Sequence, residues 1–109
     1  MSAEYEQQIK DHLARQFNLT NEQIDSMISG LISTLSGHID NLEEVLEQGD
    51  PEQLGKAGHT IKGALLNLGL NECAEIAYNI EVNGKSGKRD ADYKSMVASM
   101  REIINRYIS

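Results

Sequence analysis

The sequence predicts an all-α fold, an up-down antiparallel four-helix bundle with an additional short N-terminal helix. Three observations carry that expectation. Apolar residues recur at steps of three and four along most of the chain, the spacing of a helix face. Strand signals are nearly absent, because β-branched residues stand singly and no Asn-Gly hairpin separates β-rich runs. The links between helical stretches are short, and short links force consecutive helices to lie antiparallel. With 109 residues the chain makes a single domain, 1–109, divided into an N-terminal helix (1–19) and the bundle (20–107).

The first amphipathic stretch runs from about Ala3 to Phe17. The second extends from Thr20 to about Gln48, with Ile24, Ile28, Leu31, Leu35, Ile39, Leu42 and Leu46 as one stripe. Thr20 with Gln23 forms a capping box at its start, and Gly49 supplies its stop. Asp50 is an N-cap for the next helix, Pro51 suits its first position, and Gln53 stands where a box partner belongs. Its stripe is Leu54, Ile61, Leu65 and Leu68, ended by Gly69. Asn71 is the expected cap of a further helix through Ile76 and Ile80, with Gly84 closing it. Residues 84–90 read as a flexible basic loop. A last helix spans Ala91 to about Tyr107, with Tyr93, Met96, Val97, Met100, Ile103, Ile104 and Tyr107 facing inward.

Composition narrows the function classes. The formal charge is −7, and it is uneven: residues 1–58 hold 3 basic and 11 acidic side chains, residues 59–109 hold 7 and 6. An acidic surface argues against nucleic acid and against anionic membrane as partners. No apolar run approaches the ~20 residues of a membrane span. The first residues, Met1 to Glu6, show no basic-then-apolar leader, and the single Cys73 can form no internal disulfide, so a cytoplasmic location is expected. The chain is too short for an ATP-dependent kinase, so any group-transfer chemistry needs a partner.

One segment breaks helical rules. Gly55, Lys56, Ala57, Gly58, His59, Thr60, Ile61, Lys62 and Gly63 place three glycines in a helix interior. Each costs ~1 kcal/mol relative to alanine, a large share of a small domain's stability in total. Gly55 and Gly63 lie four residues to either side of His59, and Lys56 and Lys62 lie three to either side. Off the apolar stripe, His59 is expected to be solvent-exposed, on a face cleared of side chains and flanked by two ammonium groups. A phosphoryl group on imidazole needs such access and such charge. The bland alternative is an ordinary surface histidine, with the glycines serving helix packing.

The segment resembles the histidine-containing phosphotransfer (HPt) domain family. The family motif H-x-x-K-G, followed by a hydrophobic-Gly pair, stands here as His59, Lys62, Gly63, Leu68 and Gly69, with Asn67 and the run Cys73, Ala74, Ile76, Ala77, Ile80, Glu81 also fitting. The resemblance is tight from Gly49 to Glu81 and holds elsewhere by helix pattern. It implies a phosphorelay carrier that is not itself an enzyme. His59 would take a phosphoryl group from a receiver-domain aspartate and pass it to another. Lys62 would help hold the phosphoryl oxygens and Gly63 would leave room for the partner. Expected partners are response-regulator receiver domains and a hybrid or other histidine kinase. No cofactor is expected on this chain, Mg²⁺ being brought by the receiver. The alternative is a helical docking module that is never phosphorylated.

Counting across the turn at Gly69 and Leu70 brings the antiparallel helix back to the level of His59 near Ile80, so Glu81 is the polar group placed to meet the ring. A carboxylate that accepts the Nδ1 proton would leave Nε2 as the nucleophile. Counting across Gly49 likewise makes Gly37, His38 and Asn41 neighbours of His59. Leu66, seven residues after His59 on its face, is expected to be exposed and to touch the receiver, where the family more often has a small residue. The expected docking surface is therefore Gly55, Lys56, Gly58, Leu66, Gly37, His38 and Asn41, on a monomer. His38, His59 and Glu81 could approach one another, but the lysine pair would repel a metal ion, so no metal site is expected.

Overall fold

A computed structural model of the chain describes residues 3–108, with side chains from 7 to 107. The leader-free start expected of Met1 to Glu6 thus lies outside the described side chains. Five helices follow in order: α1 (Ala3–Phe17), α2 (Asn21–Gln48), α3 (Pro51–Asn67), α4 (Asn71–Lys85) and α5 (Tyr93–Ile108). No strand occurs among the described residues, and the fold is the all-α bundle expected. Helix α2 packs on α3, α3 on α4, α4 on α5 and α5 back on α2, closing a ring, while α1 lies against α2 and α5. At 1.5 Å per residue, α2 is about 42 Å long. It therefore runs nearly the whole length of a molecule measuring 45 × 24 × 18 Å.

The core is the set of stripes read from the sequence. Ile24, Ile28, Leu35, Ile39, Leu42, Leu54, Ile61, Leu65, Ile80, Val97, Met100 and Ile104 are all buried. Leu31 and Leu46 are only partly buried against that core, because α2 has one long edge beside solvent. Across α2 and α5, Arg101 forks onto both carboxylate oxygens of Glu43 and also reaches Asp40, which raises the Arg101 pKa, Glu43 contributing most.

The caps decide where the helices stop. The box between Thr20 and Gln23 is formed in both directions. Gly49 takes the left-handed conformation at φ 78°. Asp50 accepts from the N–H of Glu52, and Gln53 forms no box. At the far end of α3, Gly69 is left-handed, its N–H bonds to Leu66 O and that of Leu70 to Leu65 O. This Schellman turn leads straight into α4, so Leu70 and not Asn71 is the N-cap, with no side-chain cap bond. The same double bond recurs after α4, from Gly87 N to Gly84 O and from Lys88 N to Asn83 O. Gly87, not Gly84, therefore ends α4, and the helix carries Lys85 within it. Helix α5 begins two residues later than expected, because Asp92 caps the N–H of Ser95.

Gly84 stays helical because two backbones meet there. A Cβ on Gly84 would stand 2.6 Å from Gly55 Cα and 2.5 Å from Pro51 O. A Cβ on Gly55 would lie 2.9 Å from Lys85 N, and one on Gly58 3.1 Å from both Ala77 O and Glu81 N. These glycines form the seam along which α3 and α4 approach. Two docking expectations fall with this: Gly55 and Gly58 are buried and present nothing to a partner. Gly63 differs, being exposed with open space above it.

Candidate functional site

Angular position on α3 separates residues that look symmetrical in sequence. A helix advances about 100° per residue, so Gly55 and Gly63 sit about 40° to either side of His59, and Lys62 and Lys56 about 60° to either side. Helix α4 covers the side holding Gly55 and Lys62. Lys62 therefore turns toward α4, whereas Lys56 is exposed on the other side. The two ammonium groups expected beside the ring are therefore unlike each other: Lys62 is bonded to a carboxylate of α4 and Lys56 is exposed.

His59 itself stands clear, its side chain 62% exposed. Beneath it lies Glu81, only 6% exposed and the one buried charged residue among those described. The ring Nδ1 and Glu81 Oε2 are 2.9 Å apart. Lys62 Nζ donates to the other oxygen, Oε1, at 2.6 Å, and Lys85 Nζ donates to Oε2 at 2.8 Å. Three donors from two helices thus converge on one carboxylate, and no buried side-chain polar atom among the described residues lacks a partner. Lys62, then Lys85, hold the Glu81 carboxyl down at about 2, and the bond from His59 adds to them against the opposing effect of burial. Since Glu81 is ionised it can only accept, so the proton of the shared bond sits on Nδ1, and it is Nε2 that carries the lone pair whenever the ring is neutral. The approach of Glu81 to the ring is what counting residues across Gly69 predicts.

Lys85 was not expected here. Reading Gly84 as a stop consigned it to a loop, whereas a helix continuing one more turn puts it four residues after Glu81, within pairing distance. Tyr78 was also missed: Lys62 Nζ lies 5.2 Å above its ring, and the residue is 52% exposed. Leu66 is 48% exposed, as its place on α3 predicts, and Val82 is exposed on α4. On the other flank His38 lines a groove with Leu31, Thr34, Thr60, Gly63, Ala64, Asn67 and Leu68. Gly37 and Asn41 are exposed on α2 outside that groove. No group of three or more His, Cys, Asp or Glu side chains among the described residues could hold a metal ion.

The Hpt domain family matches residues 26–107, three-quarters of the chain and all of the bundle except the first turn of α2. This protein belongs to the Hpt family, whose members carry phosphoryl groups on histidine in two-component relays. Comparison with curated proteins and with solved structures returned no match. Among the described residues no helix is long and apolar enough to cross a membrane.

Proposed function

We propose that this protein is a phosphoryl carrier of a two-component relay, with His59 Nε2 as the accepting atom. The observation that carries the reading is the pairing of an exposed ring with a Glu81 bond at Nδ1, which leaves the outer nitrogen its lone pair. In the transfer, that lone pair attacks the phosphorus of a receiver's aspartyl phosphate. The N–P bond forms as the P–O bond to the carboxyl breaks, and the aspartate leaves with the electron pair. The ring becomes cationic with its proton still on Nδ1, and the Glu81 carboxylate lies where it stabilises that charge. Return of the phosphoryl group to another aspartate runs the same step backwards. Positioning and charge do most of this work, so a small scaffold without ATP-binding parts suffices. The Mg²⁺ and its acidic pocket would belong to the receiver.

The receiver would dock over Gly63, where open space admits a close approach, with Leu66, Tyr78 and Val82 as apolar contacts and His38 on the α2 side. Lys62 would leave Glu81 to meet the phosphoryl oxygens. A monomer in the cytoplasm, served by a histidine kinase through its receiver, fits this surface and the acidic charge.

Incubation with phosphorylated receiver domains tests the proposal. Acid-labile, base-stable phosphate should appear on the wild type and be absent from His59→Gln. A folded wild type that binds receivers yet never labels would instead make the chain a docking module.

A further inference from the structure

Lys85 occupies an odd place for a surface lysine. It bonds Oε2, the same oxygen that receives His59 Nδ1, while Lys62 takes Oε1. The carboxylate thus has two cations, one more than its own charge requires. The proposed transfer draws one of them away, since Lys62 is the ammonium that turns to the phosphoryl group. Without Lys85, a buried carboxylate with no counter-ion would at that moment stand 2.9 Å from the ring. It would pull a second proton onto the imidazole or swing out toward water, and either change closes Nε2 as a nucleophile or releases the ring.

Resting on the reading of His59 as phosphoryl acceptor, we propose that Lys85 is a positioning residue acting through Glu81: it keeps the carboxylate neutralised and seated while Lys62 is engaged elsewhere, so that His59 retains one proton on Nδ1 and an open Nε2. The geometry suits the task. Lys85 comes from α4, the helix that holds Glu81, so its bond survives any rearrangement on α3. Its own side chain is 57% exposed and does not obstruct the ring. The other charged or titratable groups around the site are Lys56 and Lys62 from α3, Glu81 and Tyr78 from α4, and, on the α2 side, His38 in the groove lined by Thr60 and Gly63. None of these besides Lys62 reaches Glu81, so Lys85 is the only reserve cation among the described residues.

Removing Lys62 by substitution imitates its departure. In ¹⁵N-histidine NMR at one fixed pH, wild type and Lys62→Met should show the same ratio of bare to protonated Nε2 on His59. In Lys62→Met/Lys85→Met the ratio of bare to protonated Nε2 should fall about tenfold, as expected when the last cation near a buried carboxylate is lost. Lys62→Met/Lys85→Arg should restore it. An ordinary surface ion pair would leave the double variant indistinguishable from Lys62→Met, and that result overturns the proposal. Should the double methionine variant unfold, Lys62→Met/Lys85→Gln, which keeps a polar side chain at the exposed position, is read the same way. Phosphoramidate labelling of the wild type separates this from the underlying reading. Label on His59 with unchanged NMR in the variants rejects the role of Lys85 alone, whereas no label on His59 rejects both.

Discussion

A histidine ring has two nitrogens, and the bond to Glu81 gives them different tasks. Nδ1 is bonded to a carboxylate held among three donors, on a ring whose side chain is mostly exposed. The Glu81 carboxyl, lowered from 4.5 to about 2, adds stability that is fully present above pH 4.5 and is lost as the pH falls toward 2. Glu81→Gln should therefore be less stable than wild type by about 1–2 kcal/mol at pH 7. The gap should narrow at pH 3, as urea unfolding at both values would show. Lys62 is less expendable than an exposed lysine, because it is 22% exposed and bound both to Glu81 and over Tyr78. Lys62→Ala should cost about 1 kcal/mol in thermal unfolding as well as slowing transfer. How much of this was legible follows from the type of information each residue needs. Glu81 could be found by counting, since two antiparallel helices joined by a tight turn return to level after equal numbers of residues. Lys85 could not, because a glycine can mark a stop or a close approach, and only the second helix shows which.

At the scale of the helices, α3 and α4 touch backbone to backbone, and this closeness sets Glu81 under His59. The glycines divide accordingly. Gly84→Ala and Gly55→Ala, each placing a Cβ within 3.0 Å of backbone atoms, should destabilise the fold by 2 kcal/mol or more on the order of other overpacking changes. Gly63→Ala should stabilise by about 0.5–1 kcal/mol, since nothing lies near and alanine is the better helix former. Gly63→Val should keep the fold and slow transfer by obstructing the receiver, as melting curves and transfer rates measured together would reveal. A Gly63→Val that unfolds would make the glycine a packing residue like the others. Spacing in the sequence identifies all three glycines flanking His59 as unusual. It does not say which side of the helix a neighbour covers, and 80° of arc between Gly55 and Gly63 separates a seam from an open face.

For the whole molecule, the up-down order, the long α2 and the closing ring of helices follow from apolar periodicity and short links, and these features were legible throughout. The exceptions lie at element ends and at α1. His12, without an evident role in the sequence, packs beside Gly69, where an added Cβ would stand 2.5 Å from its ring, so α1 braces the α3–α4 turn. Burial, with a lesser push from Glu72, raises the Cys73 thiol to about 12, which makes it a reporter of global opening. A thiol reagent should modify the native protein only as fast as it unfolds, and added urea should accelerate the reaction in step with the loss of helix. The central claim concerns one atom. After transfer from a phosphorylated receiver to ¹⁵N-histidine-labelled protein, NMR of the phosphohistidine should show phosphorus bonded to Nε2 of His59, with Nδ1 still carrying its proton. Phosphorus on Nδ1, or on any residue other than His59, would contradict the account.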